Sequence, residues 1–266
     1  PPIRSSPAIP ATSAREFPAA AYRACLTADQ SRALYALEAL AEAGASDPAA
    51  VVVEADRGRG KSSAAGLAAG SLAAAGRDVL VTAPERRSAA EVFDRAAKLL
   101  SELGERADRG DGTIAAVGGG RVRFREPGEA AALPERPDVV LVDEAAALPV
   151  RRLSSFLAAD AAGFFTTVHG YEGAGRGLSV RFRDRLAASD LTVRDVAMSE
   201  PVRYAAGDPV ETWSFRALCL DAGPVPDQVA AGARPVTVSY SGLDPGGLCV
   251  DEAPLPDAVG LARLRH

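Results

Sequence analysis

Lysine, cysteine and long apolar runs are all scarce in this chain of 266 residues. No apolar run approaches the roughly 18 residues that a membrane-spanning helix needs, and the N-terminus lacks the pattern of a signal peptide. These absences predict a cytoplasmic protein without a membrane segment. Cys25, Cys219 and Cys249 form no CxxC pair, which argues against a zinc site or a disulfide scaffold and favours buried apolar roles. The net charge of −5 gives no indication of nucleic-acid binding.

Among the 30 basic residues only Lys61 and Lys98 are lysines. Lys61 lies in residues 55–62, which have the spacing A-x-x-x-x-G-K-S of a phosphate-binding loop. Backbone N–H groups of such a loop surround the β-phosphate of a nucleotide, and its glycines let the main chain approach closely. We therefore expect Lys61 to contact the β- and γ-phosphates of ATP and Ser62 to ligate Mg²⁺.

Short apolar runs alternate with alanine-rich helical segments along the chain. The runs are apolar throughout, which is typical of strands that are buried on both faces of a parallel sheet. Strands that alternate with helices predict a doubly wound α/β domain. The runs are 51–53, 79–81, 139–142 and 164–168, the helical segments lie near 62–75, 87–103 and 151–160, and 193–198 is a further strand. Residues 113–117 and 121–125, joined by three glycines, predict a hairpin.

The run 139–142 ends in two carboxylates, Asp143 and Glu144. Because the carboxyl ends of parallel strands meet at one edge of a sheet, this pair should lie beside the phosphate loop. We assign Asp143 to the Mg²⁺ shell, and we assign catalysis to Lys61 and to Glu144, which would polarise the attacking water. The predicted fold class is α/β, a P-loop NTPase with a RecA-like, doubly wound, mostly parallel sheet.

Glycine is frequent in residues 170–177, directly after the fourth apolar run. A flexible backbone with charged residues predicts a coupling loop, comprising His169, Glu172 and Arg176, that responds to the γ-phosphate. A tight turn with Arg176 in solvent, and a loop role for His169, are the alternatives. Each of two arginine clusters would contact either RNA phosphates or solvent. The clusters are Arg121, Arg123 and Arg125, and Arg181, Arg183 and Arg185.

These motifs occur in an order that resembles one family. Over roughly residues 26–222 the chain is similar to the ATPase, or helicase-like, module of the tRNA(Met) cytidine acetyltransferase family. The run GYEGAGRG at 170–177 is the most specific part of the resemblance. The motifs, in order, are 57–62, 142–149, 166–177, 200–204 and 207–209.

The resemblance implies ATP-dependent N4-acetylation of the wobble cytidine of elongator tRNA(Met), with acetyl-CoA as the donor. It also implies that Gln30 contacts the adenine of ATP and that Arg203 contacts its γ-phosphate. Both have a structural alternative: Thr27 and Gln30 have the spacing of a helix capping box, and Arg203 would otherwise pair with an acidic surface residue. The resemblance assigns phosphate binding to Arg57, Gly58, Arg59, Gly60, Lys61, Ser62 and Ser63.

Several domains that proteins of this family contain are missing from the chain. Its acetyltransferase and tRNA-binding domains should follow the ATPase, yet no acetyl-CoA loop occurs after residue 222. We expect 223–266 to be either a small trailing segment or the truncated start of an acetyltransferase domain, and acetyl-CoA to be needed only by the full-length enzyme. Residues 1–25 are rich in Pro, Ser and Ala and are predicted to form a linker or N-terminal arm. Residues 26–222 are predicted to form the RecA-like ATPase domain. The chain is either a fragment or a free-standing relative.

Three functions remain open for such a chain. The leading prediction is an ATPase module that couples ATP hydrolysis to tRNA acetylation. The alternative is a stand-alone RNA or DNA helicase-like ATPase. A translocating helicase generally needs a second RecA-like lobe, which supplies an arginine to the site. Only one lobe is visible here, so Arg203 would have to act in its place in cis. A module that binds ATP without turnover is the third, and Glu144 argues against it.

Overall fold

The computed structural model describes residues 6–105, 108–110, 112–167, 174–202, 208–210, 213, 235–238 and 253–256. The helices are α1 (Ala19–Arg23), α2 (Ala28–Leu37), α3 (Ala39–Glu42), α4 (Lys61–Ala74), α5 (Ala90–Glu102), α6 (Pro127–Ala130), α7 (Val150–Ser155) and α8 (Ala174–Ala187). The strands of the main sheet are β1 (Ala49–Ala55), β2 (Asp78–Thr82), β3 (Asp108–Gly110), β4 (Thr113–Ala115), β5 (Arg121–Phe124), β6 (Val139–Val142), β7 (Ala161–Thr167) and β8 (Thr192–Met198).

The main sheet has the order β3-β4-β5-β2-β6-β7-β1-β8. From β5 to β8 all neighbouring strands are parallel, whereas β3, β4 and β5 pair antiparallel. Each predicted strand corresponds to an observed one, and the predicted hairpin is β4–β5. The predicted α/β fold class, a P-loop fold with a doubly wound, mostly parallel sheet, is therefore confirmed.

Both faces of the sheet are covered by apolar side chains. In β1 the buried residues alternate between two core clusters, with Val51 and Val53 in one and Ala50 and Val52 in the other. The first cluster includes side chains of α2, α4 and α5, and the second includes side chains of α7 and α8. This two-sided burial explains why the strands are apolar throughout rather than alternating.

Helix α4, which begins at Lys61, is buried on almost every side. Its small side chains allow α5 to pack very closely against it. A Cβ atom added to Gly66 would lie only 2.5 Å from the carbonyl oxygen of Val92 on α5. Since real Cβ atoms do not approach oxygen so closely, this contact requires glycine. The position of α4, and with it that of Lys61, is fixed by this packing.

Five residues of the stretch 17–25 pack in the core, so the structure differs from the predicted linker over this stretch. Phe17, Tyr22 and Cys25 are all buried. The carboxylate of Glu38, directly after α2, accepts hydrogen bonds from the Tyr22 hydroxyl at 2.6 Å and from the Phe17 backbone N–H at 2.9 Å. Aromatic side chains within the Pro- and Ala-rich stretch supply the apolar surface that ties it to α2. The buried apolar role predicted for Cys25 is confirmed.

Arg123 is buried and paired within the protein, so its side chain fits neither of the two explanations for its cluster, RNA phosphates or solvent. Its side chain is 1% exposed, and its guanidinium donates to the Asp78 carboxylate at 2.8 and 3.0 Å and to the Pro134 carbonyl at 2.6 Å. Arg121 forms ion pairs with Asp78 and Glu135, both at 2.7 Å. The alternating arginines of β5 therefore build an ion-pair network beside β2. Buried charges are tolerated only when they are paired and hydrogen-bonded in this way.

Helix α8 is not among the predicted helices. Its Phe182 and Leu186, four residues apart, are buried, and the Phe182 ring packs edge-on against Phe164 of β7. Arg183 donates to Glu54 of β1 at 2.8 Å and to Asp195 of β8 at 2.9 Å. These contacts hold α8 against β1, β7 and β8, and they occupy an arginine that had been a candidate for RNA contact.

The chain divides into two compact units, Pro1–Asp208 and Pro209–His266. The second unit contains an antiparallel pair of strands, β9 (Pro235–Val238) and β10 (Ala253–Pro256). The boundary predicted after residue 222, and the assignment of 223–266 to an acetyltransferase domain, stay predictions. Among the described helices none is long and apolar enough to cross a membrane.

Candidate functional site

The phosphate loop and the predicted carboxylate pair follow two strands that have one strand between them in the sheet. The phosphate loop follows β1, and Asp143 and Glu144 follow β6. Strand β7 lies between β1 and β6 and ends at Thr167. All three strands are parallel, so their carboxyl ends meet at one edge, as expected for a ligand site in an open α/β sheet.

The phosphate loop has the backbone conformation that its glycines permit. Gly58 and Gly60 have φ angles of 77° and 89°, in the left-handed region, which costs other residues about 1–2 kcal/mol. Gly60 is the N-cap of α4, whose first N–H groups have no partner within the helix and are suited to anions. Arg59 and Ser63 are buried, whereas Arg57 is exposed and Ser62 is half-buried.

Lys61 is buried inside the loop. Its ammonium donates to the backbone carbonyl oxygens of Ala55 at 3.1 Å and Asp56 at 3.3 Å. Burial lowers the pKa of Lys61, and the negative charges of Glu144 and Asp143 limit that shift. The charged group is thus held where the loop would enclose a phosphate.

Asp143 is only 1% exposed. Its Oδ1 accepts a hydrogen bond from the Glu144 N–H at 3.0 Å, but its buried Oδ2 has no hydrogen-bond partner. Burial raises the pKa of Asp143 to about 6, although the Ser62 side chain and the Lys61 charge act in the opposite direction. A buried carboxylate oxygen without a donor is costly unless a cation binds it. This orphaned atom beside a serine hydroxyl fits Mg²⁺.

The described residues contain no group of three or more His, Cys, Asp or Glu side chains that would enclose a metal. Mg²⁺ does not require such a group, because it is usually held by one or two protein ligands together with phosphates and water.

Glu144 lies half-buried at the same edge, and its backbone is in the left-handed region with φ 49°. Its Oε2 accepts a hydrogen bond from the Thr167 hydroxyl at 3.2 Å. Thr167 was missed by the sequence analysis, although a polar residue at the end of an apolar strand, on the predicted site edge, was a usable signal. The pair connects the ends of β6 and β7 and fixes the direction of the Glu144 carboxylate.

Gln30 connects helix α2 with the phosphate loop. Its N–H donates to Thr27 Oγ1 at 3.2 Å, which confirms the predicted cap. Its buried carboxamide accepts from the Leu26 N–H at 2.7 Å and donates to the Gly60 carbonyl at 3.3 Å. The contact with Gly60 is not part of the capping box. The adenine contact of Gln30 stays a prediction.

Several predicted residues lie outside the described part of the chain, namely His169, Glu172 and Arg203. Arg176 is predicted in a loop, but its backbone lies in the first turn of α8, so the loop prediction is wrong from Ala174 onwards. The reason is the burial of Phe182 and Leu186, which favours a helix over this sequence despite its glycines.

Replacing Gly60 with alanine should weaken Mg·ATP binding by at least about tenfold, because the new Cβ would lie 2.1 Å from Gln30 Nε2 in a strained backbone. Gly44→Ala is the matched control, since nothing lies within 4 Å of its Cβ position. Isothermal titration of both variants tests this. Equal affinity of Gly60→Ala and the unaltered chain would mean that the described loop is not the binding conformation.

Asp143→Asn should stabilise the nucleotide-free chain at pH 8 by about 5 °C in thermal midpoint. The raised pKa of Asp143, about 6, means that the folded state favours the protonated carboxyl. The charged form of Asp143 therefore lowers the free energy of unfolding above pH 6. This loss disappears below pH 4, near the pKa of an aspartate in the unfolded chain. The gain should be absent at pH 4. A gain of equal size at both pH values would show that charge burial is not the cause.

Comparison with known proteins gives one consistent family. A family model described as RNA cytidine acetyltransferase NAT10/TcmA, helicase domain, matches residues 52–221. The tRNA(Met) cytidine acetyltransferase TmcA of Haloferax volcanii is 61% identical over 262 residues, which are 98% of this chain and 34% of that protein. TmcA of Haloarcula marismortui is 57% identical over 270 residues, 100% of this chain and 34% of that protein. TmcA of Pyrococcus abyssi is 38% identical over 216 residues, 79% of this chain and 26% of that protein.

The chain thus spans about a third of the length of the Haloferax and Haloarcula relatives that it matches. Among solved structures, the large terminase ATPase domain of Thermus phage P74-26 has a TM-score of 0.42 and 16% identity. That similarity covers 74% of this chain and 89% of the terminase chain.

Proposed function

The chain belongs to the RNA cytidine acetyltransferase NAT10/TcmA family, within its helicase domain, and on this basis we propose that it is a Mg²⁺-dependent ATPase module. The observation that carries the proposal is the burial of Lys61 and Asp143 at one sheet edge, the latter with an orphaned carboxylate oxygen. Lys61 has only neutral backbone carbonyls as partners for its charge, and Asp143 Oδ2 has no hydrogen-bond partner. A nucleotide triphosphate with its cation would supply a partner for both.

The phosphates would bind to the loop and to the first turn of α4. Backbone N–H groups and Lys61 would bind the β- and γ-phosphate oxygens, and Ser62 and Asp143 would hold Mg²⁺, which would neutralise phosphate charge. Gln30 keeps Gly60 in place and is proposed to reach the adenine as well. The remaining proposed ATP ligands are Arg57, Gly58, Arg59, Ser63 and Arg203.

Glu144 is proposed as the group that orients the attacking water and accepts its proton. The hydrogen bond from Thr167 orients the Glu144 carboxylate and leaves its second oxygen to accept a hydrogen bond from the water. In the reaction the water oxygen bonds to the γ-phosphorus as the bond to the β–γ bridging oxygen breaks. Lys61 stabilises the charge that develops on the phosphate oxygens.

The segment with His169, Glu172 and Arg176 is proposed to transmit the state of the nucleotide. It begins after Thr167, which binds Glu144, and extends into the first turn of α8, a helix that is tied through Arg183 to Glu54 just before the phosphate loop. The elements on both sides of the segment are therefore bonded to residues next to the site. This arrangement supports a role in coupling ATP turnover to RNA handling.

For the whole protein we propose ATP-dependent N4-acetylation of the wobble cytidine of elongator tRNA(Met), with acetyl-CoA as donor. The proposal rests on the resemblance and on the names of relatives that are about three times as long as this chain. A tRNA partner, the acetyltransferase and tRNA-binding domains as neighbours, and a cytoplasmic location follow from it.

Phosphate release from ATP by the purified chain, with and without elongator tRNA(Met), tests the proposed function. We expect Mg²⁺-dependent turnover that the tRNA stimulates more than an unrelated tRNA does, and no transfer of labelled acetyl by this chain alone. Binding without turnover would favour a regulatory module. Unwinding of an RNA duplex would favour the helicase alternative, and failure to bind Mg·ATP would refute all three.

A further inference from the structure

Asp29, next to Gln30 on α2, accepts four hydrogen bonds and has no assigned role in any predicted motif. It is only 5% exposed. Its Oδ2 accepts from the backbone N–H groups of Ser199 at 2.7 Å and Glu200 at 2.9 Å, and from the Ser199 hydroxyl at 3.2 Å. Its Oδ1 accepts from the Arg32 guanidinium at 2.6 Å. One carboxylate thus holds the start of the segment 199–202, which follows β8.

The segment 199–202 in turn contacts the phosphate loop. The Val202 N–H donates to the Gly58 carbonyl at 2.8 Å. The Cγ2 atom of Val202 also lies 3.2 Å from the position that a Cβ on Gly60 would take. The first turn of α2 therefore reaches the loop by two routes, directly through Gln30 and through 199–202 by way of Asp29.

We propose that Asp29 is a positioning residue for nucleotide binding, because it fixes the segment 199–202 so that Val202 holds Gly58 in the conformation the phosphate loop needs. This inference rests on the proposed function. Gly58 has a φ of 77°, and the bond from Val202 is made to its carbonyl group. A loop already held in its binding conformation loses less entropy when the phosphates bind.

The charge of Asp29 makes this link strong. Burial acts to raise the pKa of Asp29, but the N–H groups of Glu200 and Ser199 outweigh it and hold the pKa below its usual value. The group is therefore ionised at neutral pH, and hydrogen bonds to a carboxylate are roughly twice as strong as neutral ones. The side chain of Arg32 is 65% exposed, so its ion pair with Asp29 contributes little.

Three variants test the proposal by calorimetric Kd for Mg·ATP, by KM and kcat, and by thermal midpoint. Asp29→Ala should raise Kd and KM about tenfold while kcat changes less than about threefold, because α4 and β6 hold Lys61 and Glu144 independently. Asp29→Asn, which keeps an oxygen acceptor but loses the charge, should recover part of the affinity. Arg32→Ala, the matched control, should bind as the unaltered chain does.

Val202→Pro removes the N–H that reaches Gly58 without changing Asp29, and it should raise Kd and KM in the same direction. If Asp29→Ala does not fold, Val202→Pro still tests whether the bond from Val202 to Gly58 supports nucleotide binding. The proposal is overturned if Asp29→Ala lowers the thermal midpoint with Kd and KM unchanged, or if Val202→Pro binds Mg·ATP normally. Failure of the proposed function is distinguishable, since then the unaltered chain and Lys61→Ala would both lack Mg·ATP binding.

Discussion

Replacing Lys61 with alanine is expected to reduce ATP turnover at least about 100-fold and to weaken Mg·ATP binding at least about tenfold. The ammonium is buried in the loop and lies within 3.3 Å of two loop carbonyl oxygens. Alanine removes this charge and leaves Asp143 and Glu144 to repel the incoming phosphates. Phosphate release and calorimetric titration measure the two effects separately.

Lys98→Ala is the matched control, because Lys98 is the other lysine of the chain and is exposed on α5. It should have the turnover and affinity of the unaltered chain within about twofold. Normal turnover by Lys61→Ala would remove the phosphate-loop assignment. Loss of turnover in both variants would point to a general effect of lysine removal instead.

Replacing Glu144 with glutamine should slow hydrolysis by about 10²- to 10⁴-fold while Mg·ATP binding remains. Glutamine keeps the size of the side chain and can still accept the hydrogen bond from Thr167, but it does not accept a proton from water. Single-turnover hydrolysis and titration with Mg·ATP separate the chemical step from binding.

Asp143→Asn is the comparison that makes this prediction specific. It removes a charge that faces the cation rather than the water, so the Mg²⁺ concentration for half-maximal turnover should rise. If Glu144→Gln and Asp143→Asn had the same dependence on Mg²⁺ and the same rate, the division of roles between the two carboxylates would be wrong.

The sheet and the centre of the site are predictable from sequence because their determinants are local. Strands buried on both faces are apolar runs, and the end of a parallel strand gives the position of whatever follows it. The ends of the apolar runs therefore suffice to place Lys61 and the pair Asp143 and Glu144 at one edge of the sheet. Thr167 is nearly predictable by the same rule, since it ends the strand between them.

Other features depend on contacts between distant parts of the chain and have no local pattern. Asp29 and Ser199 are 170 residues apart, and nothing near Asp29 indicates a partner there. The alternating arginines of β5 have the pattern of an exposed strand face, yet Arg123 is buried because Asp78 and Pro134 supply its partners. Helix α8 begins among glycines, which locally favour a loop, and burial of Phe182 outweighs that preference.

The close packing of α4 against α5 has a mechanical consequence. With Gly66 and Val92 in contact distance, α4 cannot rotate or slide towards α5 without steric overlap. A displacement of α4 would therefore be directed away from α5. Single hydrogen bonds join neighbouring segments at the site, from Thr167 to Glu144 and from Val202 to Gly58. Helix α4, which carries Lys61, is thus blocked on its α5 side, and the proposed ATP hydrolysis would have to act on the other neighbours of the site.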